Sequence, residues 1–328
     1  MQKPKRHFQS LLLAVIFSCF MAPALASPER WQREWPQTDF SKTSVDFGEI
    51  KSGGPPKDGI PPIDHPVFKP IADVTDIEDT EPVIGLVMDG IARAYPIRIL
   101  MWHEIVNDRI GEVPIAVTFC PLCNAAIVFD RRIDGMTLDF GTTGKLRNSD
   151  LVMWDRQTES WWQQFTGEAI VGTLTGKRLE VLPARLESLA SFRQRTDQSA
   201  QILIPNNSRM RAYGSNPYRG YDSGYPFLYD GELPKDIDAL QRVISLAGKE
   251  EAWSLALLRE KGSIITSDGT VLSWQAGQNS ALDHGRIAEG RDVGTVTARK
   301  DGQDVVYFVD FAFAFHAFRP DAPIHTLP

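Results

Sequence analysis

The chain is poor in cysteine. It has three in 328 residues, and Cys19 lies within the first 26. That excludes a fold stapled by many disulfides and leaves Cys120 and Cys123 as a lone CxxC pair. Basic charge is also scarce, with 35 Lys and Arg against 42 Asp and Glu. Without Lys3, Lys5 and Arg6 of the N-terminal segment, 32 basic residues face 42 acidic ones, a net charge of −10. Such a balance argues against nucleic acid and anionic membranes as partners. Past residue 26 no apolar run is long enough for a membrane-spanning helix. The serine-nucleophile elbow, the HExxH zinc helix and the phosphate-binding loop are all missing; His103-Glu104 is followed by Asn107 where a zinc protease needs its second histidine.

What is present begins with the layout of a secretory signal peptide over 1–26. A positive start precedes a short apolar run from Leu11 to Phe20, and Ala24-Leu25-Ala26 supplies small residues for cleavage after Ala26. The expected location is periplasmic or secreted, with no transmembrane segment after cleavage. In an oxidising compartment a lone CxxC is a disulfide, a redox-active dithiol or half of a metal site.

The mature chain reads as α+β and β-rich, with mixed sheets dominated by hairpins and few helices. Asp89-Gly90 between two apolar runs marks a hairpin turn. Pro96 suits a helix start, and Ile97, Leu100, Met101 and Ile105 follow at helical spacing over 96–108. Val113 to Phe119 reads as a strand leading directly into the CxxC, and Ala125 to Phe129 as another, which is unlike a thioredoxin, whose CxxC opens a long helix. The Gly- and Pro-rich stretch 52–64 forbids helix or central strand and reads as a linker or a shaped loop.

A faint internal repeat suggests a duplication with a degenerate second copy. Val83-Ile84-x-Leu86 lines up with Val243-Ile244-x-Leu246, and Cys120 and Cys123 line up with Gln275 and Gln278. The expected organisation is a signal peptide (1–26), an N-terminal copy carrying the CxxC (27–208), a connector (209–242) and a shortened C-terminal copy (243–328) packed on the first. The connector holds five of the seven tyrosines: Tyr213, Tyr218, Tyr221, Tyr225 and Tyr229. It is either packed filler or a wall over a ligand site.

Several stretches together carry a family resemblance. They are Trp102 to Asp108, Thr118 to Asn124, Phe129 to Arg131, Ser149 to Gln164 and the loop Gly53 to Pro62. In these motifs and their order the chain resembles the DUF3179 family of uncharacterised proteins, from about residue 45 to the C-terminus. The resemblance brings no reaction with it. Relatives carrying selenocysteine in the CxxC region would imply a reactive chalcogen there and not a passive staple.

Three readings of the centre remain. In the first, an oxidoreductase uses Cys120 to attack a disulfide or oxidised partner, Cys123 to resolve the intermediate, and His103 as base. In the second, Cys120, Cys123 and His103 hold copper or zinc, copper ahead, with Met101, Met153 and His65 as further donors. In the third, the CxxC is a local clamp in a non-catalytic binding module. A loop of about four residues gives a disulfide only roughly 2 kcal/mol, so the clamp would be weak. Arg156, Gln163 and Arg131 are candidate contacts to an unidentified small molecule or thiol partner, whereas His316 reads as packing.

Overall fold

The computed structural model describes residues 28–327; the proposed signal peptide and Cys19 lie outside them. Among the described residues there are five helices, one of four residues and four of seven. Strands form sheets of five, five, four, four and three members, plus a two-stranded ribbon. The α+β expectation is therefore overturned: the chain is β-rich, and its grouping is that of a five-bladed β-propeller of small sheets. The reason is local. The run with helical spacing is cut short and gives way to a strand that opens with β-branched Ile105 and Val106. The helix expected over 96–108 covers Ile97–His103 only. There Glu104 turns the chain at φ 58°, and Ile105–Ile110 continues as a strand. Among the described residues no helix is long and apolar enough to cross a membrane.

Hairpins form where the turn residues permit a left-handed backbone. Pro82–Met88 pairs with Ile91–Pro96 through Asp89 and Gly90, both at positive φ, as a two-residue type I′ turn requires. Val83–Leu86 and Val243–Leu246 fall in corresponding strands of two sheets. In one, Pro82–Met88 lies between Ile91–Pro96 and Arg185–Ser188, both antiparallel to it, and Gln201–Ile204 joins Ile91–Pro96 in parallel. In the other, Arg242–Leu246 lies between Ala252–Ser254 and Tyr307–Phe311, and Ile324–His325 joins Ala252–Ser254 in parallel. One large core cluster draws side chains from Ile63 through to Ala314 and includes Cys120 and Cys123.

The Gly- and Pro-rich stretch is a shaped loop clamped to the body. Its Gly53 N–H donates to the Gly144 carbonyl at 2.8 Å, and Asp58 N–H to the Thr142 carbonyl at 2.8 Å. Gly144 allows this approach because it has no Cβ. An added Cβ would lie 1.9 Å from the Pro55 carbonyl oxygen, on a backbone at φ 67°. Gly144→Ala is therefore expected to cost about 2–4 kcal/mol in urea unfolding. A cost below about 0.5 kcal/mol would show that the loop is not held there.

Candidate metal centre

The CxxC sits on a hairpin turn. Val113–Cys120 pairs with Ala125–Asp130, closing with Cys120 opposite Ala125 across a four-residue loop. Asn124 takes φ 55°, a conformation asparagine tolerates better than most residues. Its side-chain amide donates to the Val309 carbonyl at 2.8 Å. The Cys123 carbonyl in turn accepts from Phe311 N–H at 2.9 Å, which ties the turn to the strand Tyr307–Phe311. Both cysteines are unpaired, with Cys120 2 % and Cys123 0 % exposed. Burial pushes both thiols up, Cys123 well above the ordinary value.

A second hairpin brings a carboxyl to the thiols. Phe140–Arg147 pairs with Asp150–Asp155 through Asn148 and Ser149, both at positive φ. Ser149 is held by its hydroxyl, which donates to the Phe227 carbonyl at 2.5 Å. Its own carbonyl accepts a long contact from Cys120 Sγ at 3.8 Å. The next residue, Asp150, is fully buried. One of its oxygens, Oδ1, accepts from Gln163 Nε2 at 2.7 Å and from Phe165 N–H at 2.9 Å. The other, Oδ2, has no partner among the described residues. The two sulfurs and a carboxylate oxygen of Asp150 all lie within 4.8 Å of one another.

Two further acids crowd this centre. Glu104, at the end of Ile97–His103, is 7 % exposed and its carboxyl makes no hydrogen bond or ion pair among the described residues. Asp310, beside Phe311, is buried with Oδ1 unpartnered. Burial is the first cause of all three shifts: Asp150 is pushed up to about 7, Glu104 to about 8, and Asp310 well above the carboxylate range. Elsewhere the chain answers buried acids with arginine, as in Glu187 with Arg195, Glu81 with Arg98, and Asp222 with Arg242. Among the described residues, neither lysine nor arginine pairs with Cys120, Cys123, Asp150 or Glu104. Two thiols and a carboxyl that would carry three negative charges are thus collected without a protein cation. Sulfur and oxygen donors in this number suit zinc, and three protein donors leave a fourth position open.

The residues singled out from sequence are placed as follows. His103 is buried with both ring nitrogens engaged, Nδ1 with the Pro61 carbonyl at 2.7 Å and Nε2 with the Tyr213 hydroxyl at 2.8 Å, and it is not in the Cys120–Cys123–Asp150 group. His65 and His103 line the same separate cavity. Met101 and Met153 are core side chains. Arg156 pairs with Asp64 at 2.8 Å. Arg131 pairs with Asp139 and donates to the Leu138 carbonyl at 2.7 Å. Gln163 does reach the centre, through Asp150. At the positions aligned with the cysteines, Gln278 accepts from Thr295 Oγ1 at 2.8 Å.

Sequence reasoning missed Asp150, Glu104 and Asp310. A signal was available for two of them: Asp150 opens the apolar run Leu151-Val152-Met153-Trp154, and Asp310 interrupts Val309 to Phe313. An isolated acid in a buried strand needs a partner.

The connector closes over the CxxC. Tyr221 donates its hydroxyl to the Leu122 carbonyl at 3.0 Å. Tyr213 stacks on His103 and Tyr229 packs on Phe313. A family model described as a protein of unknown function, DUF3179, matches residues 57–322. No curated protein and no solved structure matches the chain.

Proposed function

The chain belongs to the DUF3179 family, and we propose that it is a metalloprotein whose ion is held by Cys120, Cys123 and Asp150. The observation that carries this reading is the buried group of two sulfurs and one carboxylate within 4.8 Å, with Asp150 Oδ2 unpartnered. A divalent cation would compensate the three charges released when these groups lose their protons. The carboxylate moves the preference from copper(I), which favours sulfur and imidazole, to zinc, which takes sulfur and oxygen together. Bound zinc supplies Lewis-acid chemistry, activating a water or polarising a carbonyl.

The chain's own residues would do the rest. Gln163 and the Phe165 N–H fix the orientation of Asp150. Glu104 stands beside the centre as an unpaired carboxyl pushed up to about 8, which suits proton transfer near neutral pH. Thiol–disulfide exchange is less well supported, since it needs an accessible thiol of lowered pKa and burial raises both here. The leader pattern of residues 1–26 supports an exported protein, in which a bound metal would protect the two thiols from oxidation.

The test is metal content. Protein reconstituted with zinc under reducing conditions is expected to retain about one ion per chain after desalting, and Cys120→Ser to retain none. Cobalt in its place should give intense thiolate-to-metal absorption that Cys120→Ser abolishes. Folded wild-type protein that retains only traces of metal would overturn the proposal.

A further inference from the structure

A cavity of about 370 Å³ lies beside this centre, lined by the neighbours Leu122 and Leu151 and not by Cys120, Cys123 or Asp150 themselves. Its floor includes Leu122 of the CxxC turn and Leu151, which follows Asp150, while Tyr218, Tyr221, Tyr225 and Phe227 of the connector form its outer wall. The size suits a molecule of one or two rings. Most of the lining is apolar, and its two charged residues are Glu104, whose carboxyl has no partner among the described residues, and Lys145, whose ammonium lies over the Trp35 ring, 5.4 Å from its centroid. The tyrosine-rich connector is therefore a wall of this space as well as packing. Tyr225 and Phe227 are 65 % and 47 % exposed, so the rim presents large aromatic surface to solvent.

The metal accounts for Cys120, Cys123 and Asp150, whereas the Glu104 carboxyl has no basic partner among the described residues and would ionise only against a cation brought by a ligand. Aromatic side chains beside a buried, unpaired carboxyl are the two elements that recognise an organic cation. Ring faces attract an ammonium electrostatically, and a carboxylate completes its pairing. A neutral or anionic ligand would leave the Glu104 carboxyl without an ionic partner.

We infer that this cavity is the substrate pocket of the centre and that it takes a small amine on an apolar body, with the ammonium group against Glu104 and the body against the connector's rings. The role as substrate pocket rests on the metalloprotein reading, whereas the preference for an amine does not.

The experiment titrates benzylamine, benzyl alcohol and benzoate into the full mature chain by calorimetry, zinc-loaded and metal-free, with zinc measured in every sample. Benzylamine is expected to bind at least about tenfold more tightly than benzyl alcohol, and benzoate to give no binding heat. Glu104→Gln, which keeps the shape of the side chain, should abolish the difference between amine and alcohol. The exposed pair Tyr225→Ala/Phe227→Ala should weaken benzylamine about tenfold without affecting folding. Equal affinity for amine and alcohol, or no binding to folded wild-type protein, would overturn the inference. Stoichiometric zinc with no amine binding would sink the pocket alone. Amine binding by a chain that holds no zinc would support the pocket and sink only the metal.

Discussion

Metal-free protein is expected to lose stability as pH rises from about 5 to about 8, opposite to the effect of its paired carboxylates. The cause lies in Asp150 and Glu104. Their ordinary values of 3.8 and 4.5 are raised by burial to about 7 and about 8. In that window the unfolded chain releases both protons while the folded chain keeps them. Folding therefore binds protons, and stability falls by up to about 1.4 kcal/mol per pH unit for each group. Asp310 is raised by the same cause and acts in the same direction. His103, pushed down by burial, opposes the trend only up to its ordinary value of 6.5. Carboxyls with lowered values, such as Asp130 and Asp268, act below the window.

Asp150 and Glu104 together should account for a loss of up to about 7 kcal/mol across this window, with Asp310 adding to it, read as a fall in the urea midpoint with chelator present. Added zinc should reverse the slope, because the ligands must shed protons to bind it and its affinity rises with pH. A flat profile in chelator would mean that the three acids are not buried as described. A falling profile that zinc leaves unchanged would mean that the ion does not use Asp150.

The hairpins, the clamped loop and the position of the CxxC were legible in the sequence because each rests on local chemistry. Asp89-Gly90 accommodates two positive φ values, and the prolines of 52–64 leave no regular alternative. The helix boundary was not, because Ile105 continues the helical spacing of Ile97 and Met101 while the chain has already turned at Glu104. That one misreading hid the acid of the pocket: on a longer helix Glu104 would have been one more polar residue, and His103 drew attention instead. Asp150 and Asp310 escaped for a different reason. Their meeting with the cysteines depends on pairings between distant strands, such as Phe311 with Cys123, that no local pattern encodes. The propeller-like grouping of small sheets was hidden in the same way. Each strand pair reads as a hairpin, and only long-range pairing, such as Arg185–Ser188 with Pro82–Met88, decides which hairpins share a sheet.

Asp150→Asn is expected to make the metal-free protein more stable at pH 7.5 while destroying its affinity for zinc. The asparagine carbonyl can still accept from Gln163 and Phe165, and its amide replaces an oxygen that has no partner. What disappears is the free energy of burying a group that is ionised in the unfolded chain, so a gain of up to about 4 kcal/mol should appear in urea unfolding. Zinc affinity should fall at least about a hundredfold, because a neutral amide is a much poorer ligand than a carboxylate. The comparison is Arg195→Met. Arg195 holds Glu187, which is fully buried, through Nε at 2.9 and 3.0 Å from its two oxygens. Removing it leaves an uncompensated buried acid and should cost about 3 kcal/mol, with zinc affinity unchanged. The opposite signs follow from one distinction: Glu187 has its cation in the chain, and Asp150 takes its cation from outside. Equal destabilisation by both substitutions would show that Asp150 is a structural acid like Glu187, and the centre would lose its claim to a metal.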